Sequence, residues 1–220
     1  MAERSQYIVI EGSDGTGKST VANLVADQLR NEGRQVIRVD EPDSAYNEAG
    51  EVLVPIASEL RRIIKDGSLG RTALTNVLLF TASRRENWLQ VSQPALEQGI
   101  DVVSARNYWS TLVYQGHGEG FDLDTITNLT HMSVGDEYMK PDHGFILDLN
   151  DEEERKKRIA NRGALETPDT FESKGDDFQA KLRAGYLAVA LEYGLPIIDV
   201  KNKSRQALTE EVIELSSKKS

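Results

Sequence analysis

The chain has no cysteine in its 220 residues. That excludes a disulfide framework, thiolate-bound zinc, iron–sulfur clusters and a cysteine nucleophile. Histidine is nearly as scarce: His117, His131 and His143 stand apart, with no spacing that suggests a metal pair. No stretch approaches the roughly 20 apolar residues that span a bilayer, so no membrane partner is expected. The opening Met-Ala-Glu-Arg-Ser lacks an apolar signal core, and the closing Ser-Ser-Lys-Lys-Ser matches no address or lipidation signal. Both point to a cytoplasmic protein. Positive charge is in deficit, with 26 Lys and Arg against 36 Asp and Glu, a net −10. Such a chain is not built to coat nucleic acid or an anionic membrane, because both would repel it. A small phosphorylated ligand in a locally positive pocket remains open to it.

Short apolar runs alternate with longer segments of helical period. Residues 7–10, 36–39, 100–103, 145–149 and 196–200 read as buried strands. Residues 19–31, 50–65, 72–97, 124–138, 151–161, 177–192 and 204–217 read as helices. In the first helix Val21, Leu24, Val25 and Leu29 recur at three- and four-residue steps and make one apolar stripe. Strict alternation of strand and helix predicts an α/β three-layer sandwich around a five-stranded parallel sheet. The length suits a single domain over residues 1–220, large enough to bury most of its unfolded surface. Two segments break the pattern. Gly116–Gly120 reads as a flexible loop, and Gly163–Gly175 as a polar surface connection or a mobile flap.

The strongest signal follows the first strand: Gly12-Ser13-Asp14-Gly15-Thr16-Gly17-Lys18-Ser19. This fits G-x-x-x-x-G-K-[ST], the P-loop. Glycines let successive backbone N–H groups turn inward around a phosphate. Lys18 is then expected to reach the outer phosphates, and Ser19 Oγ to ligate Mg²⁺. The helix after the loop adds its positive end to the same anion. A chance match in a chain of this length has a probability of about one per cent, and the strand before and amphipathic helix after lower it further. A dinucleotide fingerprint is excluded because its third glycine position holds Thr20. A GTPase switch is disfavoured because the nearest guanine-reading candidate, Asn202-Lys203-Ser204-Arg205, ends in arginine where an acid is required. A kinase needs cations around its phosphates instead. Arg84, Arg85, Arg106, Arg155, Arg158 and Arg162 could supply them. Singly, each is explained as a solvated or salt-bridged side chain; their joint placement favours the kinase.

From residue 7 to about 200 the chain resembles the thymidylate kinase family. The loop segment Ile10 to Thr20 is similar to that family's, including the acid at Asp14. Glu41-Pro42 matches its Glu-Pro pair, and Phe80-Thr81-Ala82-Ser83-Arg84 its Phe-x-Ala-x-Arg helix. Arg106 falls on the arginine of its Asp-Arg signature, followed by Ser110 to Gly116. Pro141-Asp142 and Arg158-Ile159-Ala160-Asn161-Arg162-Gly163 complete the likeness.

The resemblance implies a P-loop nucleoside-monophosphate-kinase-like fold that transfers the γ-phosphate of ATP, with Mg²⁺, to dTMP. It implies that residues 12–20 hold ATP and that Ser19 meets the metal. The acceptor would meet Asp14, Glu41, Pro42, Phe80, Arg84, Arg106, Thr111, Tyr114 and Gln115. Phe80 would stack on thymine, Arg84 bond the base, Arg106 grip the acceptor phosphate and Tyr114 screen the sugar 2′ position. Lys18, Arg106, Arg158 and Arg162 would be catalytic, the last two on a lid at about 158–176. Gly15 leaves the loop without an arginine, which resembles the subgroup whose lid supplies that cation. A homodimer, joined through the helices at 50–65 and 72–97, is also implied. Three departures stand out: Ala105 replaces the signature aspartate, Asp40 replaces an arginine common in bacterial members, and Asp169-Thr170-Phe171-Glu172 replaces the lid's Asp-Arg-x-Glu. They leave open a kinase of another or a modified deoxynucleoside monophosphate or nucleoside, and a nucleotide-binding paralogue without turnover.

Overall fold

A computed structural model describes residues 4–161, 171 and 174–217. The apolar runs form β1 (Tyr7–Gly12), β2 (Val36–Asp40), β4 (Asp101–Ala105), β5 (His143–Asp148) and β6 (Ile197–Asp199), all parallel, with a two-residue β3 (Ala45–Tyr46) between β2 and β4 in sequence. The sheet order is β3-β2-β4-β1-β5-β6. The five-stranded expectation is therefore corrected to six, with β3 antiparallel to β2. No periodicity announces a strand of two residues. Backbone bonds make it: the chain turns back after β2, Asp40 N donates to Ser44 O at 3.2 Å, and the buried Asn87 amide oxygen accepts from Ala45 N at 2.9 Å.

The helices are α1 (Lys18–Asn31), α2 (Pro55–Lys65), α3 (Ala73–Asn87), α4 (Gln93–Glu97), α5 (Tyr108–Thr111), α6 (Leu123–Met139), α7 (Glu152–Ala160), α8 (Asp176–Tyr193) and α9 (Arg205–Ser217). A π-helical stretch, Trp88–Ser92, joins α3 to α4, so the long helix expected over 72–97 is continuous but wider in the middle. Helix α2 starts at Pro55 rather than at Gly50, as suits proline's missing N–H in a first turn. The expected loop at 116–120 is corrected as well. Leu112–Gly118 is π-helical, and its glycines are sites of close packing. A Cβ on Gly116 would stand 2.2 Å from Leu123 Cδ2, and one on Gly118 2.7 Å from the Phe178 ring.

Helices cover both faces. On one, Val21, Val25 and Leu29 of α1 and Leu208 and Val212 of α9 pack on Ile8, Ile10, Val103 and Leu147. On the other, Val9, Val102 and Ile146 meet Trp88, Tyr108, Tyr138 and Tyr186. Asp142 Oδ2 ties down the start of β1 by accepting from Tyr7 N at 2.8 Å. Because α1 carries the chain past β4 to reach β2, the strand order reverses beside β1. That opens a crevice at the carboxyl ends of β1, β2 and β4, where open α/β sheets bind ligands. Among the described residues no helix is long and apolar enough to cross a membrane.

Candidate active site

The turn from β1 into α1 lies at the head of this crevice. Gly12, Gly15 and Gly17 adopt φ of 144°, 94° and 93°, values that L side chains resist. At Gly12 a Cβ would also stand 2.5 Å from the Leu147 carbonyl oxygen. Gly17 caps α1 without a side chain, so the first N–H groups of that helix keep their capacity for an anion. Thr16 Oγ1 donates back to Ser13 O at 2.8 Å and braces the loop. These features fit a polyphosphate.

A cavity of about 320 Å³ extends from the loop across the strand ends. Asp14, Gly17, Lys18, Ser19 and Thr20 form one wall, and Asp40, Glu41, Pro42, Phe80, Arg84, Arg106, Thr111, Tyr114 and Gln115 line the rest. The fold thus brings together most of the residues singled out in the sequence.

At the centre is Asp14. Its Oδ1 lies 3.0 Å from Lys18 Nζ and 2.6 Å from Arg106 Nη2, and its Oδ2 accepts from Tyr114 OH at 3.0 Å. Burial works against a charge here, but Lys18 and Arg106 outweigh it and hold the carboxyl well below the usual carboxylate range. Burial also pushes the Tyr114 hydroxyl up, so it stays protonated and donates to Asp14. Arg106 closes β4 with φ 75°, an unusual conformation for a side-chain-bearing residue. It is held there by donation from its own N–H to Ile10 O at 3.0 Å and from Nη1 to Ser110 Oγ and Tyr186 OH, both at 2.9 Å.

A second ion pair is deeper. Arg84 Nε donates to Glu41 Oε2 at 3.1 Å and to Tyr138 OH at 2.9 Å, while Nη2 donates to Thr111 Oγ1 at 2.9 Å. Tyr138 OH donates to Glu41 Oε1 at 2.7 Å. Burial pushes the Glu41 carboxyl up, with Arg84 opposing. Two residues that line this pocket each carry a buried polar atom, Arg84 Nη1 and Gln115 Oε1, with no hydrogen-bond partner among the described residues. The Phe80 and Phe171 rings, 6.2 Å apart, stand at the same pocket.

Arg85 points elsewhere, to the Ser133 carbonyl. Arg158 is not among the cavity's lining residues; its Nε donates to Glu154 Oε1 at 2.9 Å. Arg162 and most of the lid segment lie outside the described residues. Several neighbours of the site escaped the sequence reading. Glu11 is fully buried and accepts from Asn107 N, Ser110 N, Ser110 Oγ and Tyr186 OH, which fixes the turn bearing Arg106. An acid directly after the apolar run Tyr7-Ile8-Val9-Ile10, still inside β1, is a visible signal of that role. Tyr138 and Tyr186 carry no comparable signal. Arg61 and Lys65, one turn apart on α2, line the cavity too. Arg155, already among the arginines read from the sequence, packs on the loop itself: a Cβ on Gly15 would lie 2.9 Å from Arg155 Cγ.

A family model described as thymidylate kinase matches residues 10–212. The chain belongs to the thymidylate kinase family. Among curated members it is 33% identical to the thymidylate kinase of Ruegeria pomeroyi over 218 residues, covering 98% of this chain and 96% of that one. It is 37% identical to that of a Jannaschia species over 188 residues, covering 85% and 83%. The crystal structure of thymidylate kinase from Ehrlichia chaffeensis superposes with a TM-score of 0.72 at 26% identity, over 97% of this chain and 99% of that one.

Proposed function

We propose that this family member transfers the γ-phosphate of ATP to dTMP, giving dTDP and ADP. The observation that carries the reading is the single carboxylate of Asp14 bound to both Lys18, on the phosphate loop, and Arg106, at the end of β4. It joins Lys18 and Arg106 in one network, which supports reading them as donor-side and acceptor-side cations for in-line transfer between two phosphates. Lys18 and the α1 N-terminus bind the donor phosphates, and Arg106 orients the acceptor phosphate. The attacking oxygen is already anionic, so positioning and charge screening supply the catalysis without a strong general base.

Base recognition follows from the two buried atoms that have no partner among the described residues. Thymine offers a carbonyl acceptor beside its N3–H donor, which complements Arg84 Nη1 and Gln115 Oε1. Cytosine presents the reverse pattern. Phe80 supplies a flat apolar face for the ring, and Tyr114 crowds the sugar. Arg158 and Arg162 are proposed to add positive charge as the segment at about 158–176 closes over the phosphates.

The oxygen-rich donor set near the loop suits Mg²⁺ rather than a softer ion. Ser19 would hold the metal, which when bound screens the β- and γ-phosphates. A cytoplasmic homodimer completes the reading. It is supported by Ile56 on α2 and Leu74 and Leu78 on α3, which are 50%, 44% and 51% exposed and offer an apolar face. Phosphorus NMR of a mixture of protein, MgATP and dTMP tests the transfer. The diphosphate resonances of dTDP are expected; ATP that persists unchanged contradicts the reading.

A further inference from the structure

Asp40 and Ala105 end adjacent parallel strands and are register partners. Such partners carry their side chains on the same face, with the strands about 4.8 Å apart. That face is the one covered by α1, because Ala105, Val103 and Val36 all pack there with Val21 and Val25. Asp40 therefore stands on the side where α1 begins, and it lines the cavity together with Lys18, Ser19 and Thr20.

A Mg²⁺ ion shared by a serine hydroxyl and substrate phosphates also draws on one or two carboxylates. The other acids at the crevice are committed. Asp14 is bound to Lys18, Arg106 and Tyr114. Glu11 is buried beneath the turn at residues 107–110 and accepts hydrogen bonds from it. Glu41 is locked by Arg84 and Tyr138. Asp40 differs from all three. Its side chain is 24% exposed, and its one side-chain partner among the described residues is Arg38, at a long 3.4 Å. Arg38 lies over the Tyr46 ring, 4.9 Å from its centroid, toward the sheet edge.

We infer that Asp40 is the carboxylate that holds Mg²⁺ at the phosphate loop of this chain. Ala105 brings no oxygen to the metal, and the acid stands one strand over, at the same level and on the same face. The inference rests on the Mg-nucleotide part of the proposed function and not on the identity of the acceptor.

The full chain tests it with Mn²⁺ and ADP as probes. Mn²⁺ is titrated into the ADP complex and followed by electron paramagnetic resonance, and ADP binding in EDTA is measured by calorimetry. Asp40→Asn is expected to weaken Mn²⁺ about 10- to 100-fold while leaving metal-free ADP affinity within about threefold. Arg38→Gln, which removes a competing cation, is expected to hold Mn²⁺ at least as well as the parent. The inference is overturned by parental Mn²⁺ affinity in Asp40→Asn, by equal losses with and without metal, or by an Arg38→Gln loss matching that of Asp40→Asn. Asp40→Ser is read by the same criteria if the asparagine variant does not fold. An absence of dTDP formation alongside the expected Mn²⁺ difference sinks the acceptor assignment and leaves this one standing.

Discussion

Asp14 Oδ1 accepts from Arg106 Nη2 at 2.6 Å, and that contact links the phosphate loop to the end of β4. Because Lys18 and Arg106 depress the Asp14 carboxyl, its stabilising contribution is present above the unfolded value, about pH 4, and is lost as pH falls through the lower folded value. Asp14→Asn removes the negative charge that Lys18 and Arg106 share and is expected to cost about 3 kcal/mol near neutrality, or about 6–12 °C in Tm. Denaturant unfolding at a series of pH values checks the sign: the gap between parent and variant stays constant down to about pH 5 and closes below about pH 4. A gap that widens in acid contradicts the assignment.

Gln115 Oε1 has no hydrogen-bond partner among the described residues. Gln115→Leu keeps the volume near Phe80 and removes the acceptor for N3–H. Preference for dTMP over dCMP, as a ratio of kcat/KM values, is expected to fall about 10- to 100-fold, the worth of one buried hydrogen bond. Glu119 keeps Lys174 as a partner at 2.8 Å, so the fold should survive. An unchanged ratio would remove Gln115 from base recognition.

Arg158 pairs with Glu154 on the surface of α7, with side chains 32% and 43% exposed. An exposed i, i+4 pair is worth about 0.3–0.5 kcal/mol, so Arg158 can leave it at little cost. Arg158→Ala is expected to leave Tm within about 1–2 °C. Turnover should fall roughly 10³-fold, far more than ATP affinity, if the residue screens transition-state charge. A loss of ATP affinity with kcat unchanged would place it in ground-state binding only.

Leu74 and Leu78 lie one turn apart on the exposed face of α3. Light scattering on the parent should give twice the 24.5 kDa chain mass. Leu78→Glu should give the single-chain mass with its circular dichroism intact. A monomeric parent excludes the seam.

Much of this was legible in the sequence, and the reasons for the rest are physical. The parallel strands and α1 are written in apolar runs and period, and the phosphate cradle in glycine spacing. β3 was invisible because backbone bonds and the Asn87 amide define it. Gly116 and Gly118 misled because glycine marks close packing as well as flexibility; here Leu123 and Phe178 press on them. Phe80 and Arg84 share a helix and could be read as a pair. Tyr138 and Tyr186 reach Glu41 and Glu11 only through folding, across 97 and 175 residues of chain. No local pattern encodes such contacts. The one strand-to-strand relation that matters most for the metal, Asp40 beside Ala105, required the register.

The central claim is that the crevice phosphorylates dTMP, and an acceptor panel tests it most directly. Steady-state ADP release with MgATP is measured for dTMP, dUMP, dCMP, dGMP, UMP and thymidine. The account predicts the highest kcat/KM for dTMP, with dCMP and the ribonucleotide UMP far below it and thymidine inactive for want of a phosphate that Arg106 can hold. ADP release that is fastest with another acceptor, or absent with all of them while ATP binds, would contradict it.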